Sequence, residues 1–262
     1  MDFDFSLILL IITAFTGAVT FVFVILNYFN HNKTAAKPPA YIRWSRDFFP
    51  VFLIVFIIRS FGAQIYHVPT GSLQPSVLPG DLVLATQYSY GLHFPVWNYK
   101  FMSIGHPKRG DIVLFPDPVS PKNILIKRVI GLPGDRISYI NKILTINGQV
   151  MQQKLIGNGY DLEGPEDKIE VKEYLENLDG VTHKIFLNPQ LLAQDFYNLV
   201  VPKGSYFVMG DNRDDSDDSR YWGFVRGNSI FAKGEFIILS WNHFANKLTD
   251  KIRWHNMFVR LF

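Results

Sequence analysis

The stretch NILIKRVIGLPGD, residues 123–135, predicts a β-strand followed by a turn. Its branched apolar residues are bounded by asparagine on one side and by glycine and proline on the other, as in a short strand. Neighbouring side chains of a strand point to opposite faces of a sheet, so Lys127 and Arg128 cannot both face the core. Lys127 shares its face with Leu125 and Val129, and we expect these neighbours to exclude water and lower its pKa.

Two interpretations of this lysine stay open at this point. A desolvated lysine is neutral more often than an exposed one, and a neutral amine can accept a proton from a serine hydroxyl. Alternatively, Lys127 and Arg128 are two solvent-facing cations on an edge strand, which the strand pattern alone favours. Arginine cannot be the base, because it stays protonated in proteins.

Similar short runs occur throughout residues 67–262. DLVLAT, DIVLFP, KILTING, YFVMGD and AKGEFIILSW are each bounded by Gly, Pro, Asn or Asp, as strands usually are. The Asp-Gly pair of LDGV, residues 178–181, indicates a hairpin, because it accepts the positive φ of a tight turn. We therefore predict a mostly β protein whose residues 67–262 form an antiparallel sheet domain with little helix.

One segment of this domain is strongly acidic. Residues 160–179 contain eight acidic residues and two lysines. This composition favours a solvated edge or a loop insertion over an acidic binding site.

Two long apolar runs precede the β domain. Phe5 to Leu26 has no charged residue, and Phe48 to Ile65 is interrupted only by Arg59. About 20 apolar residues suffice to cross a bilayer as a helix, so both runs predict membrane spans. A cleaved signal peptide is the alternative for the first run, but the start MDFDF is acidic instead of basic and the run is too long.

The segment between the two runs is basic. It holds Lys33, Lys37, Arg43 and Arg46 against one acid, Asp47. Short basic loops between membrane spans remain in the cytoplasm. We therefore predict an outer terminus and first transmembrane helix at 1–29, a cytoplasmic loop at 30–47, a second transmembrane helix at 48–66 and an exported domain at 67–262.

Composition argues against several function classes. The absence of cysteine excludes disulfides, thiolate catalysis and cysteine-ligated metals. A net charge of +3 gives no reason to expect a nucleic acid partner.

The acidic stretch 210–223 fails the EF-hand pattern, because Arg213 and Trp222 occupy its third and twelfth positions counted from Asp211. We predict no metal and no cofactor, and a loop that ties itself together by charge-assisted hydrogen bonds. The oligomeric state is not indicated.

The stretch HVPTGSLQPSVLPGD, residues 67–81, places Ser72 behind a glycine and between two prolines. A plain serine hydroxyl is a poor nucleophile unless another group takes its proton. His67 lies near in sequence, so a Ser-His pair is conceivable. However, neither a G-x-S-x-G elbow nor an S-x-x-K spacing surrounds Ser72.

Four blocks of the sequence together resemble the type I signal peptidases, the bacterial leader peptidases. They are VPTGSLQPSVLPGDLVL, RGDIVLFPDP, ILIKRVIGLPGD and GDNRDDSDDSRYWGFV, in the order of that family and behind two apolar runs. The resemblance extends over nearly the whole chain. Residues 138–199 match less well and resemble the variable insertion of the family, to which we assign no chemistry.

The resemblance implies a membrane-bound serine endopeptidase of the bacterial inner membrane, with its catalytic domain on the periplasmic side. Its partners would be the lipid bilayer and the signal peptides of exported preproteins, cut after small residues at −1 and −3. It implies that Ser72 is the nucleophile and Lys127 the general base, and that the Ser72 N–H and the Thr70 hydroxyl stabilise the oxyanion. It further implies supporting roles for Ser216, Asp218 and Arg220, and a substrate pocket formed by Val68, Leu73, Val77 and Leu125.

Two positions depart from the pattern of that family, and two other classes of protein stay open. Thr70 and Leu73 stand where many family members have serine and methionine, which puts fine selectivity in doubt. A catalytically silent, membrane-anchored β module would be favoured if replacement of Lys127 left function untouched. Self-cleaving repressors also use serine and lysine, but they lack two membrane spans and carry a DNA-binding part.

Overall fold

The computed structural model describes residues 3–29, 38–94, 99–162, 168–245 and 247–261. The chain divides into two compact units, residues 1–63 with 93–99 and residues 64–92 with 100–262. Residues 30–37 of the predicted cytoplasmic loop, which include Lys33 and Lys37, lie outside the described residues.

The first unit begins with a long apolar helix, Phe3–Phe29 (α1). Its threonine hydroxyls bond within the helix: Thr13, for example, donates to the Leu9 carbonyl, one turn earlier, at 2.7 Å. Such bonds let a hydroxyl enter an apolar environment at low cost. Within the described ranges, α1 is the one helix long and apolar enough to cross a membrane, over Ser6–Phe29.

The second helix, Ala40–Phe61 (α2), differs from the predicted span at both ends. It begins after Pro39, so Arg43, Arg46 and Asp47, which were assigned to the loop, lie in its first two turns. It ends at Phe61, and the last apolar residues of the run enter a strand. α2 is not among the candidate spans, and it carries charges near both ends, including Arg59.

Seventeen strands are present in the described residues. The first nine are Ala63–His67 (β1), Asp81–Thr86 (β2), Gly91–His93 (β3), Lys100–Ser103 (β4), Ile112–Pro116 (β5), Ile124–Gly131 (β6), Arg136–Ile140 (β7), Ile143–Ile146 (β8) and Gln149–Val150 (β9). The others are Gln153–Leu162 (β10), Lys168–Leu178 (β11), Val181–Leu187 (β12), Phe196–Val200 (β13), Ser205–Met209 (β14), Val225–Arg226 (β15), Ala232–Ser240 (β16) and Val259–Arg260 (β17). A short helix, Ser219–Trp222 (α3), lies between β14 and β15, and 3-10 turns occur at Gly227–Ser229, Leu248–Asp250 and Trp254–Asn256.

The main sheet has eight strands in the order β1-β2-β16-β5-β6-β14-β15, with β17 paired to β16. The pairings of β16 with β2 and β5, of β5 with β6 and of β6 with β14 are antiparallel. These strands confirm the predicted mostly β fold. Because β6 pairs on both sides, the edge-strand interpretation of Lys127 and Arg128 is wrong.

The predicted insertion, 138–199, contributes to two smaller sheets, with strand orders β10-β11-β12 and β13-β7-β8-β9. The predicted hairpin at LDGV is confirmed, since Leu178 lies opposite Val181 between β11 and β12. Asp179 and Gly180 have the positive φ of such a turn, 55° and 94°. Much of the acidic segment is therefore strand and not a solvated loop.

Both faces of β6 are covered by buried side chains. Val113, Phe115 and Val129 belong to one apolar cluster, and Leu114 and Ile126 belong to another. The predicted alternation holds, but the expectation that only one of Lys127 and Arg128 faces a core is wrong. The side chains of Lys127 and Arg128 are both buried, with the residues 3% and 1% exposed.

Candidate active site

Lys127 lies in the interior of the main sheet, opposite Val113 of β5. Its Nζ donates a hydrogen bond to Ser216 Oγ at 3.0 Å. Burial lowers the pKa of Lys127 to about 8, although the charges of Asp218 and Asp217 act in the opposite direction. The geometry therefore provides a lysine whose neutral form is populated near neutral pH.

Asp218 is the carboxylate whose charge raises the pKa of Lys127 most, and it already forms an ion pair with Arg220. Arg220 Nε and Nη2 each donate to Asp218 at 2.8 Å, and the Gly210 N–H donates at 3.0 Å. Burial raises the pKa of Asp218, but the hydrogen bonds and charge of Arg220 outweigh it and hold the pKa below its ordinary value. Lys127 forms no ion pair with any described carboxylate.

Ser72 lies in a turn against the segment that follows β14. Its carbonyl accepts a hydrogen bond from the Asn212 N–H at 3.1 Å. A Cβ at Gly210 would lie 2.3 Å from both the Ser72 carbonyl oxygen and Ser216 Oγ. Gly210 thus lets the Ser72 turn approach the hydroxyl that contacts Lys127, and a side chain there would push the two apart.

The structure does not show a direct hydrogen bond between Ser72 Oγ and Lys127 Nζ. Within the described part of the chain, the hydroxyls of Ser72 and Thr70 make no hydrogen bond, and Thr70 is exposed. Hydrogen bonds between reacting groups are often long in unliganded enzymes. His67 contacts His243, with 3.3 Å between their Nε2 atoms, which gives no support to a Ser-His pair.

The four residues assigned to the substrate pocket pack in two apolar clusters. Val68, Leu73 and Val77 belong to one buried cluster, whereas Leu125 packs against the cluster on the other face of β6. Ile126, the next residue along the strand, joins the first three. Leu125 therefore packs on the face of β6 that carries Lys127, whereas Ile126 packs with the other three residues on the opposite face.

The loop 210–223 is held mainly by other elements. Asp211 accepts from Arg128 Nε and Nη2, both at 2.7 Å, and Arg213 forms a buried ion pair with Glu176 of β11. The prediction that the loop ties itself together applies to Asp218 and Arg220 but is wrong for these two pairs. Sequence spacing could not indicate partners on distant strands.

Sequence reasoning missed Glu176 as part of the surroundings of the site. Burial raises the pKa of Glu176, but Arg213 outweighs it and keeps the carboxylate charged. His183 Nε2 lies 3.4 Å from Glu176 and 3.7 Å from Asp211. Burial and then the charge of Arg128 lower the pKa of His183 to about 4, so it is neutral at physiological pH. No ligand set of three or more residues that could hold a metal is present in the described residues.

Comparisons with known proteins identify the family. The profile of the family "Signal peptidase, peptidase S26" matches residues 41–241. The chain belongs to this family of signal peptidases. The signal peptidase I of Pseudomonas aeruginosa is 34% identical, over 92% of this chain and 94% of that protein. The signal peptidase I of Pseudomonas fluorescens is 37% identical, over 78% and 75%. A crystal structure of a signal peptidase I from Enterococcus faecalis V583 is 32% identical, covers 49% of this chain and 96% of that chain, and has a TM-score of 0.33.

Membership confirms the resemblance seen in the four sequence blocks. This signal peptidase is a serine peptidase, and its family is associated with membranes, in agreement with the apolar helix α1. The matched range includes Ser72, Lys127 and the whole loop 210–223. The site described above therefore lies within the part of the chain that the family shares.

We expect Arg128→Lys to destabilise this signal peptidase, although the charge is kept. Arg128 uses three nitrogens for bonds at 2.7 Å to Asp211 and the Gly110 carbonyl, and lysine cannot reproduce that fork. The loss of a buried charged hydrogen bond costs about 1.5–3 kcal/mol. Urea unfolding of the full chain in detergent, followed by tryptophan fluorescence, measures the change.

The matched control is Arg136→Lys on β7, because Arg136 is exposed. It should leave the free energy of unfolding nearly unchanged. Equal stability of the two variants would show that the Arg128–Asp211 contact does not hold the loop.

Proposed function

We propose that this signal peptidase cleaves signal peptides from exported preproteins with Ser72 as nucleophile and Lys127 as general base. The single observation that carries the proposal is the buried Lys127 amine, whose pKa is about 8 and whose hydrogen-bond partner is the neutral hydroxyl of Ser216. With this pKa, roughly a tenth of the amine is neutral at pH 7, against well under a thousandth for an ordinary lysine. The family assignment supplies the reaction class.

The proposed reaction proceeds through an acyl-enzyme. Lys127 Nζ accepts the Ser72 hydroxyl proton as Oγ attacks the scissile carbonyl, and then gives that proton to the leaving amine. Lys127 next accepts a proton from a water molecule, which attacks the ester. Lys127 then returns this proton to Ser72 Oγ as the signal peptide leaves. The Ser72 N–H and the Thr70 hydroxyl donate to the oxyanion in both steps.

Three further residues are proposed to keep the base in place. Ser216 accepts a hydrogen bond from Lys127 and so orients its amine toward the Ser72 turn. Asp218 and Arg220 neutralise each other beside it, so the amine is not fixed in its charged form by a direct ion pair. A directly paired lysine would have a higher pKa and would be a poor base.

The proposed substrate is an extended segment with small residues at −1 and −3. The apolar wall proposed for this segment consists of nearly completely buried residues of one cluster. Three of them lie near Ser72 in sequence and the fourth lies on β6: Val68, Leu73, Val77 and Ile126. A wall that is already close-packed leaves little room for a large side chain. An extended segment can bind by adding a strand beside an exposed sheet edge.

The proposed location is the bacterial inner membrane, with α1 and α2 both spanning it and the β domain on the periplasmic side. The basic residues of the segment between the helices favour a cytoplasmic loop. Trp254 and Phe258 are 70% and 74% exposed, which supports contact of the β domain with lipid. The site would then lie at the membrane surface, where signal peptides emerge.

The test of the mechanism is Lys127→Arg in a cleavage assay on a purified preprotein. Arginine keeps the positive charge but cannot supply a neutral amine, so we expect the variant to be as inactive as Lys127→Ala and Ser72→Ala. The kcat/KM of the unmodified enzyme should rise with pH through a group titrating at about 8, because deprotonation of Lys127 creates the base.

Lys203→Arg is the control, because Lys203 is exposed, and it should cleave normally. Substantial cleavage by Lys127→Arg would remove Lys127 from the role of base. It would favour a purely electrostatic role, or the alternative in which the β domain only binds partners.

A second prediction concerns the oxyanion donor. Thr70→Ala should lower kcat by about tenfold or more and change KM much less, because the donor acts mainly in the transition state. Thr70→Ser keeps the hydroxyl and should remain near the unmodified enzyme. Steady-state kinetics on a preprotein or peptide substrate decide the matter, and an inactive but folded Thr70→Ser would contradict the assignment.

The membrane topology gives a third prediction. If the segment around Arg43 and Arg46 is cytoplasmic, protease added to intact spheroplasts should digest residues 67–262. Immunoblotting with antibodies to the β domain measures the digestion. Protection of this domain until the spheroplasts are lysed would show the opposite orientation.

A further inference from the structure

Asp161, in the acidic segment of β10, is a buried carboxylate that joins two separate parts of the chain. The residue is 3% exposed. Its Oδ1 accepts a hydrogen bond from Gln74 Nε2, and its Oδ2 accepts one from Asn212 Nδ2, both at 2.6 Å. The carboxylate is therefore used on both oxygens, by amides from the Ser72 turn and from the loop after β14.

Both amides belong to the backbone segments that hold Ser72. The Asn212 N–H donates to the Ser72 carbonyl at 3.1 Å, and its side-chain amide also donates to the Gly71 carbonyl at 3.4 Å. Gln74 is fully buried and lies two residues after Ser72. A Cβ at Gly71 would lie 2.3 Å from Gln74 Nε2, so the glutamine side chain lies directly against the residue before Ser72.

The orientation of the Gln74 amide follows from its second contact. The Leu162 N–H donates to Gln74 Oε1 at 3.3 Å. A backbone N–H can only donate, so Oε1 must face Leu162 and Nε2 must face Asp161. Two consecutive residues of β10 thus bind the Gln74 amide: Asp161 accepts from its Nε2, and the Leu162 N–H donates to its Oε1.

We propose that Asp161 is a positioning residue for the peptidase reaction. By binding both Gln74 and Asn212, it fixes the Ser72 turn against the loop 210–223. The inference rests on the proposed role of Ser72 as nucleophile. Asp161 contacts no reacting atom and acts through the two amides. Residues 138–199, to which the sequence analysis assigned no chemistry, would then control the position of the nucleophile. Small displacements of reacting groups lower the reaction rate by large factors.

The test reverses the donor and the acceptor of one contact. Gln74→Glu alone places two carboxylates face to face at 2.6 Å, and we expect kcat to fall by about tenfold or more with KM less affected. Adding Asp161→Asn restores the contact, because the new amide at 161 donates to the new carboxylate at 74 while its oxygen still accepts from Asn212. The carboxylate at 74 also still accepts from the Leu162 N–H. The double variant should return to within about threefold of the unmodified kcat.

A preprotein cleavage assay of the full chain in detergent, together with thermal unfolding of each variant, distinguishes a change in the position of Ser72 from a loss of folded protein. Glu173→Gln on the neighbouring strand β11 is the control, since Glu173 forms a partly exposed ion pair with Lys184, and it should keep the unmodified kcat. A merely structural role would lower the unfolding temperature and leave kcat per folded molecule unchanged. The pH at which kcat/KM rises should stay the same in all variants, because Asp161 does not contact Lys127.

Restoration by the double variant supports the inference. An unmodified kcat in folded Gln74→Glu, or a loss that Asp161→Asn does not relieve, overturns it. If Gln74→Glu does not fold, the double variant must exceed Asp161→Asn alone in kcat, and an equal or lower value overturns the inference. Ser72→Ala distinguishes the two proposals: cleavage by this variant refutes the proposed function, whereas an inactive Ser72→Ala beside a fully active Gln74→Glu refutes only the role of Asp161.

Discussion

The burial of one lysine amine, without a carboxylate bound directly to it, is the constraint on which the rest of this site depends. An interior position on β6 removes water from Lys127 and lowers its pKa, while Asp218 and Asp217 oppose the shift. Arg220 binds both oxygens of Asp218, so the nearest negative charge is largely compensated. The amine is left with the Ser216 hydroxyl, a partner that stabilises the neutral and the charged forms more evenly than a carboxylate would.

The charged side chains that hold the loop 210–223 are also buried, and each is paired with an opposite charge. Arg128 binds Asp211, and Arg213 binds Glu176, with all four side chains at most 2% exposed. Buried pairs of this kind add little net stability, but the loss of one partner is costly, so they favour a single arrangement of the loop. They attach the loop 210–223 both to β6, which holds Lys127, and to β11.

How much could be predicted from the sequence depends on how far apart the interacting residues are. The strands follow from runs of a few residues and were predicted. The burial of Lys127 was one of two open interpretations, because the strand pattern alone favoured solvent-facing cations and the resemblance to the signal peptidases favoured a buried base. The burial of Arg128 was not predicted, because it requires a second covered face of the sheet that is built from distant segments. Asp161 and Glu176 looked solvated in an acid-rich stretch, yet their partners Gln74 and Arg213 lie 87 and 37 positions away.

The packing of neighbouring residues on β6 shows the limit of local reasoning in another way. Leu125 and Ile126 are both apolar, and only the register of β6 against its neighbours decides which one joins Leu73. A shift of one residue exchanges the faces of the whole strand. The four sequence blocks locate the site along the chain, whereas the side of the sheet at each position follows from the pairing of the strands.

Two buried acids, Asp161 and Glu176, connect the strands β10 and β11 to the two segments that form the site. Asp161 lies on β10 and Glu176 on β11, and these strands are paired in a continuous antiparallel ladder from Gln153 opposite Glu176 to Leu162 opposite Lys168, with one irregularity. Asp161 reaches the Ser72 turn, and Glu176 reaches the loop that carries Ser216. The spacing between the two attachment points is therefore set by a hydrogen-bonded ladder instead of by flexible chain.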